Sequence, residues 1–128
     1  MNFVTTDGLR LTYRIDGPEH GQTIVLLNSL GTNLHMWDPQ IEQLRTSLRI
    51  VRYDSRGHGA SETPTVSYTI EQLGADLLAL LDALQIERVY LCGLSLGGLV
   101  AQWCTLTYPE RIAGLLLANT AARIGTVE

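Results

Sequence analysis

A serine flanked by glycines stands where a predicted strand gives way to a predicted helix. The segment GLSLGG at residues 93–98 has the pattern G-x-S-x-G, which in this setting presents a nucleophilic serine. A sharp turn there strains the serine backbone, admits only small side chains two residues away, and aims helix N–H groups at a developing oxyanion. The alternative is a glycine-rich turn that serves packing alone, but the strand, the helix and two nearby clusters favour Ser95 as a nucleophile.

Two further clusters are predicted to support this serine. Residues 28–32, NSLGT, follow a predicted strand, and a loop there can offer a second backbone N–H to an oxyanion. Residues 54–61, DSRGHGAS, follow the next strand; two glycines bracket His58 in a tight turn, and Arg56 can pair with a buried carboxylate nearby. The plainer interpretation of each cluster is a structural loop. For His58 we favour that interpretation over a role as catalytic base, because its turn is built for shape.

Short strands alternating with helices are predicted to position these clusters. Residues 9–16 alternate apolar and polar side chains and pair with residues 3–5 across a turn at Asp7-Gly8. Further strands are predicted at 23–27, 49–53, 88–92 and 114–118, and helices at 39–48, 69–84 and 96–107, with an irregular stretch at 54–66. Thr69 and Gln72 form a capping-box pattern at the start of the second helix. This alternation predicts an α/β fold with a mostly parallel sheet and helices on both faces.

Composition narrows the function classes. The chain has 128 residues, a formal net charge of −4 and 45% hydrophobic residues, as an ordinary globular domain does. No basic stripe is present to bind nucleic acid, and no run of about 18 to 20 apolar residues is present to span a membrane. Neither nucleic acid nor a membrane is therefore an expected partner.

Cysteine and arginine placement adds two expectations. Cys92 and Cys104 lie in apolar segments, where free cysteine behaves as a small hydrophobe, so a reduced, cytoplasmic protein is expected.

Four arginines fall within twelve residues but straddle a helix end, a strand and a loop, and we expect them to be separate solvated charges. They are Arg45, Arg49, Arg52 and Arg56.

The sequence resembles the α/β-hydrolase superfamily over essentially its whole length. The resemblance is carried by GLSLGG at 93–98, by DSRGHGAS at 54–61 and by an element order that fits the family's first six strands. Within the superfamily, NSLGTNLHMWDPQ at 28–40 and DGLRLTYRIDGPEHG at 7–21 are similar to 3-oxoadipate enol-lactonases. Those enzymes hydrolyse an enol-lactone in the bacterial breakdown of aromatic compounds, the β-ketoadipate pathway.

The resemblance implies roles for five residues. Ser95 matches the nucleophile, and Leu30 and Leu96 match the positions whose backbone N–H groups form the oxyanion hole. Asn28 and Trp37 are the implied substrate-binding residues, with Asn28 helping to orient its loop and Trp37 near the pocket mouth. Many superfamily members begin this loop with His-Gly, whereas this chain has Asn-Ser, which favours an enol-lactonase over a generic esterase or dehalogenase. No cofactor and no metal is implied.

The family's triad order is serine, then Asp or Glu, then histidine, with a helical lid after the sixth strand. No residue of this chain matches the acid or the histidine. Because such a fold usually needs about twice as many residues, we expect residues 1–128 to be the N-terminal part of a catalytic domain, without the lid and last strands.

Two alternatives to a lactone or ester hydrolase stay open. One is a non-catalytic half-domain that assembles with a complementary C-terminal chain, or with itself, through the sixth-strand edge, where GLLLAN carries no charge. The second is a different reaction on the same scaffold, such as carboxylester hydrolysis, carbon–carbon bond hydrolysis or perhydrolysis.

Overall fold

The computed structural model describes residues 1–122. Within them there are six strands and three α-helices, which alternate after the first three strands, and a short 3-10 turn precedes both the first helix (Leu34–Trp37) and the last strand (Pro109–Arg111). The elements are β1 (Asn2–Val4), β2 (Arg10–Asp16), β3 (Gln22–Leu27), α1 (Asp38–Leu44), β4 (Leu48–Tyr53), α2 (Ile70–Ala83), β5 (Val89–Leu94), α3 (Leu96–Thr107) and β6 (Ile112–Ala118). None of the helices in these residues has the length and apolar character needed to cross a lipid bilayer.

The strands form one sheet in the order β1-β2-β4-β3-β5-β6. The β1–β2 and β2–β4 pairs are antiparallel, and the β4–β3, β3–β5 and β5–β6 pairs are parallel. The predicted fold class is thereby confirmed. Because β3, β4 and β5 are parallel neighbours, their carboxyl ends meet at one edge, and the three sequence clusters that follow them come together there.

Helices cover both faces of this sheet, as predicted. Helices α2 and α3 pack against one face, where buried residues of both helices contact the strand residues that point the same way. Helix α1 lies on the other face, where Ile41 packs with Leu26, Ile50 and Cys92. Both cysteines are buried and free, as expected from their apolar segments.

The bounds of two predicted helices agree with the structure to within one residue, whereas the third helix was predicted to be longer than it is. Helix α3 occupies the predicted residues, and α2 begins with the predicted capping box: Thr69 accepts from the Gln72 N–H at 3.2 Å and donates its own N–H to the Gln72 side chain at 2.9 Å. The helix predicted at 39–48 instead ends at Leu44. Leu48, the last apolar residue of the predicted helix, instead begins β4 and pairs with Gln22. Its spacing of four from Leu44 fits a helix, but an apolar residue at this position equally suits a strand that packs against α1.

The expectation of four solvated arginines is wrong for Arg52 and Arg56, whose side chains are 1% and 3% exposed. Arg52 lies in β4, within the sheet. Its guanidinium donates to Asp16 at 2.9 Å and to Asp38 at 2.7 Å. The burial is possible because partners distant in the sequence neutralise the charge.

Arg56 pairs with a buried carboxylate, as predicted. Its Nε and Nη2 atoms each donate to Asp76 of α2 at 2.7 Å, and Nη1 donates to Asp7 at 3.0 Å. Burial raises the pKa of Asp76, and the hydrogen bonds from Arg56 act against that rise. The same guanidinium, helped by Thr5, lowers the pKa of the half-exposed Asp7. The bidentate pair therefore fixes the loop after β4 against α2.

The buried pair predicts a large stability difference between two charge-neutralising variants. Asp76→Asn leaves the buried Arg56 charge without its bidentate partner, and we expect it to lower the free energy of unfolding by about 3–5 kcal/mol. Urea denaturation followed by tryptophan fluorescence measures this loss. The matched control is Asp7→Asn, which removes a half-exposed carboxylate from the same guanidinium and should cost less than about 1 kcal/mol. Equal losses would contradict the assignment of Asp76 as the main partner.

Candidate active site

Ser95 lies in the tight turn between β5 and α3, with φ of 55° and ψ of −115°. Glycine occupies this region readily and other residues rarely do. A Cβ added to Gly93 would lie 2.5 Å from the Gly97 carbonyl oxygen and 2.6 Å from the Gly98 Cα. The prediction of a strained serine between obligatory small residues is confirmed.

The turn also packs against the end of β3. A Cβ on Gly97 would collide with the Leu27 carbonyl oxygen and would lie 2.8 Å from the Asn28 carbonyl oxygen. In the sheet, Leu27 pairs directly with Gly93. The serine turn and the loop after β3 are therefore immediate neighbours.

Backbone hydrogen bonds hold Ser95 in place while its hydroxyl stays unengaged. The Ser95 N–H donates to the Ala118 carbonyl at the end of β6 at 3.1 Å, and the Ser95 carbonyl accepts from the Gly98 N–H at 2.9 Å and from the Thr120 hydroxyl at 2.6 Å. Within residues 1–122, the Ser95 Oγ makes no hydrogen bond. The hydroxyl is therefore available to a substrate or a base.

Sequence reasoning missed the contribution of the segment after β6. Thr120 binds the Ser95 carbonyl and also lies over Gly98, where a Cβ would come within 2.5 Å of the threonine Oγ1. The one local signal is Asn119, whose φ of 45° fits the tolerance of asparagine for this conformation. Nothing in the sequence indicates that the following threonine reaches back 25 residues to the serine.

The backbone N–H groups of Leu96, the first residue of α3, and of Leu30, in the loop after β3, have no acceptor within the described part of the chain. An unpaired N–H at a helix start carries a partial positive charge and binds anions. These are the two positions that the sequence resemblance implies for an oxyanion hole; the assignment itself stays a prediction.

Asn28 ties the start of the β3 loop (residues 28–33) to its surroundings. Its buried side-chain amide donates to the Tyr53 carbonyl at 2.9 Å, and its side-chain oxygen accepts from the Trp37 indole N–H at 2.8 Å. Both ends of the amide are thus engaged within the protein, which fits the predicted loop-orienting role. Contact of Asn28 or Trp37 with a substrate stays a prediction.

Asp54, at the start of the β4 loop (residues 54–61), clamps the two loops together. One oxygen of this buried carboxylate accepts from the Leu34 N–H at 2.7 Å, just beyond the β3 loop, and the other accepts from the Ala60 N–H at 2.9 Å. Gly59 has φ of +51°, and a Cβ there would collide with the carboxylate. Sequence reasoning recognised the loop but missed this clamp.

His58 is a packed loop histidine, as predicted. Its Nδ1 lies 3.0 Å from the Arg56 carbonyl oxygen and its Nε2 lies 3.0 Å from the Gly31 nitrogen. A carbonyl oxygen can only accept and a backbone N–H can only donate, so the ring is neutral with its proton on Nδ1. The other two histidines also lack a hydrogen bond to Ser95: His20 is exposed in a turn, and His35 contacts Asp38 at 3.0 Å.

Comparisons with known proteins agree with this geometry. A family model described as the alpha/beta hydrolase fold matches residues 22–127. The chain is 45% identical over 125 residues to 3-oxoadipate enol-lactonase 2 of Acinetobacter baylyi, covering 98% of this chain and 47% of that protein. The chain spans about half the length of the curated relatives it matches.

Two solved structures are also similar. An enol-lactonase from Burkholderia xenovorans superposes with a TM-score of 0.93 at 49% identity, covering 98% of this chain and 48% of the other. A hydrolase from Pseudomonas aeruginosa gives a TM-score of 0.96 at 50% identity, covering 98% and 47%. The similarity thus extends across the described sheet and its helices.

The strain at Ser95 predicts an unusual order of stability for two variants that both lack the hydroxyl. Strain of this kind costs about 1–3 kcal/mol, and glycine relieves it at an entropic cost of about 0.5–1 kcal/mol. We therefore expect Ser95→Gly to exceed Ser95→Ala in free energy of unfolding by about 1 kcal/mol. Parallel urea titrations of the two variants measure the difference. An alanine variant as stable as the glycine variant would mean that the backbone is relaxed.

Proposed function

Since the chain belongs to the alpha/beta hydrolase fold family, we propose that it is part of a serine hydrolase of ester or lactone bonds with Ser95 as nucleophile. The observation that carries the proposal is the strained Ser95, whose hydroxyl makes no hydrogen bond within residues 1–122 and which directly precedes the unpaired N–H of Leu96 at the start of α3. Strain at a single available hydroxyl is a feature of nucleophilic sites. Residues 1–128 would then supply the N-terminal part of the catalytic domain.

The proposed reaction is acyl transfer. Ser95 Oγ loses its proton to a histidine and attacks the carbonyl carbon, and the N–H groups of Leu30 and Leu96 stabilise the oxyanion. Collapse of the tetrahedral intermediate breaks the bond to the leaving oxygen, which takes the proton; in a lactone this opens the ring. The histidine then takes a proton from water, the water oxygen attacks the acyl carbon, and the bond to Ser95 Oγ breaks as the serine regains its proton, which releases the acid. The chemistry requires no metal and no cofactor.

The histidine base and its acidic partner are proposed to lie outside these 128 residues. His58 uses both ring nitrogens on backbone groups, and neither His20 nor His35 is hydrogen-bonded to Ser95. Residues 1–128 would then supply the proposed nucleophile and oxyanion donors but not the base. Such a half-site retains only part of the catalytic power, since an oxyanion hole and binding alone give about 10³–10⁴ over water in triad knockouts.

The proposed substrate is an enol-lactone, in the breakdown of aromatic compounds. Support comes from the 45% identity to an enol-lactonase that covers nearly the whole chain, and from the Asn-Ser start of the β3 loop. Trp37 would lie near the pocket mouth, and Asn28, held by the indole N–H, would orient the β3 loop for substrate binding. The cytoplasm is the proposed location, supported by the two buried free cysteines.

Replacing the nucleophile tests the proposal directly. In the full-length protein, Ser95→Ala should lower kcat for enol-lactone hydrolysis by about 10⁴-fold to 10⁶-fold, as triad losses do, because no other group forms the acyl-enzyme. Initial rates measured by ring-opening absorbance check this. The matched control is Ser67→Ala at an exposed position, which should keep wild-type rates. A Ser95 variant within threefold of wild type would end the proposal.

Substrate comparison separates the proposed activity from different reactions on this scaffold. The wild-type full-length enzyme should have a higher kcat/KM for an enol-lactone than for simple aryl esters of similar size. A preference for aryl esters would instead support a carboxylesterase. Turnover only of a carbon–carbon bond substrate would support a carbon–carbon hydrolase, and turnover only of peroxide with a carboxylic acid would support a perhydrolase.

A second proposal concerns assembly through β6. Within the described residues this strand is an edge of the sheet; Leu116 is 62% exposed, and Leu115 and Leu117 are each 39% exposed. An uncharged, apolar edge strand offers unpaired backbone groups to another chain. We propose that the 128-residue chain associates there, with a complementary C-terminal chain or with a second copy.

Sedimentation tests this assembly. The 128-residue chain at micromolar concentration should sediment as a species larger than a monomer in analytical ultracentrifugation. Leu116→Lys, which places a charge on the edge strand, should shift it toward the monomer. A wild-type chain that stays monomeric across this concentration range would contradict the proposal.

A further inference from the structure

Gly31, next to Leu30, is held by a hydrogen bond rather than by packing. Its φ is +75°, and a Cβ placed on it would meet no atom within 4 Å. The neighbouring Leu30 side chain is 67% exposed. The tip of the β3 loop therefore has little apolar contact to fix its conformation.

The bond to His58 supplies the missing restraint. Other hydrogen bonds made by residues 29–33 are local and reach no farther along the chain than Met36, such as those from the Thr32 hydroxyl to the Ser29 carbonyl at 2.6 Å and to the Met36 sulfur at 3.2 Å. In residues 1–122, the bond from the Gly31 N–H to His58 Nε2 at 3.0 Å is the one that joins this tip to a different loop. It fixes the peptide plane directly after Leu30.

The imidazole is itself held rigidly. Its Nδ1–H donates to the Arg56 carbonyl at 3.0 Å, and the Arg56 side chain is anchored on Asp76. Two hydrogen bonds fix the residues that follow His58 in the turn. The Ala60 N–H donates to the Asp54 carboxylate, and the Ser61 hydroxyl donates to the Asp54 carbonyl at 2.6 Å. The ring therefore presents its Nε2 lone pair from a fixed position.

From this arrangement we propose that His58 is a positioning residue for the oxyanion hole. By accepting the Gly31 N–H it fixes the backbone beside Leu30, so that the Leu30 N–H is preorganised for a carbonyl oxygen bound at Ser95. The inference rests on the proposed function, because it assigns a role within that site. His58 would thus have a role in the site without acting as the catalytic base.

Kinetics of two His58 variants test the proposal in the full-length enzyme. His58→Ala removes the acceptor and should lower kcat by about 10-fold to 100-fold, less than the 10²–10³ that follows outright loss of an oxyanion donor, with KM within threefold. His58→Gln places an amide oxygen near the Nε2 position and should recover most of the lost kcat. Rates are normalised to active sites titrated with an organophosphonate, so that a loss of folded protein does not count. The matched control, His20→Ala in an exposed turn, should keep wild-type kcat.

The Gly31 amide resonance tests the same bond without catalysis. Its ¹H and ¹⁵N shifts in His58→Ala should differ from those of wild-type protein, and in His58→Gln they should return toward the wild-type values. A Gly31 amide unchanged in His58→Ala, or an unchanged kcat despite a shifted amide, would overturn the positioning role. If the wild-type protein hydrolyses no ester or lactone, the proposed function fails, while the amide measurement still decides whether the bond to His58 exists.

Discussion

The conformation of Ser95 is the constraint on which the rest of the site depends. Its positive φ persists because the surroundings leave it no room to relax: Gly93 and Gly97 let the turn close, and the Ala118 carbonyl and Thr120 hydroxyl hold the serine backbone from the β6 side. This local cost, about 1–3 kcal/mol, is offset by the pairing of β5 with β3 and β6. The sheet thus fixes the direction of a single hydroxyl.

A second level of structure couples the loops to that serine through polar groups rather than apolar packing. Asp54, His58 and Asn28 join the carboxyl ends of β3 and β4 by hydrogen bonds to backbone groups. The buried arginines extend the coupling outward, since Arg52 reaches Asp16 in β2 and Arg56 reaches Asp76 in α2. Distant elements therefore contribute to the site: the antiparallel β2 supplies a counter-charge, and α2 anchors the turn that carries His58.

The sequence predicts local features well and distant partners poorly, for a physical reason. The serine turn, the capping box at Thr69 and the boundaries of α3 depend on residues within a few positions of one another. The burial of Arg52 depends on Asp16, 36 residues away, and the bond from Gly31 to His58 spans 27 residues. Arginine clustering alone gives no sign of which charges the fold will bury. Leu48 is the intermediate case, since its spacing fits a helix while sheet pairing assigns it to β4.

The strain at Ser95 also bears on the choice between a catalyst and a scaffold. A chain whose property is assembly through a strand edge gains nothing from holding a serine at positive φ, because glycine would satisfy the same turn at lower cost. Nor does assembly call for a serine hydroxyl that makes no hydrogen bond within the described residues and stands next to the N–H at the start of α3. Both features make sense where negative charge develops on an oxygen during a reaction. The exposed β6 edge is compatible with either role, so the serine turn is what favours catalysis.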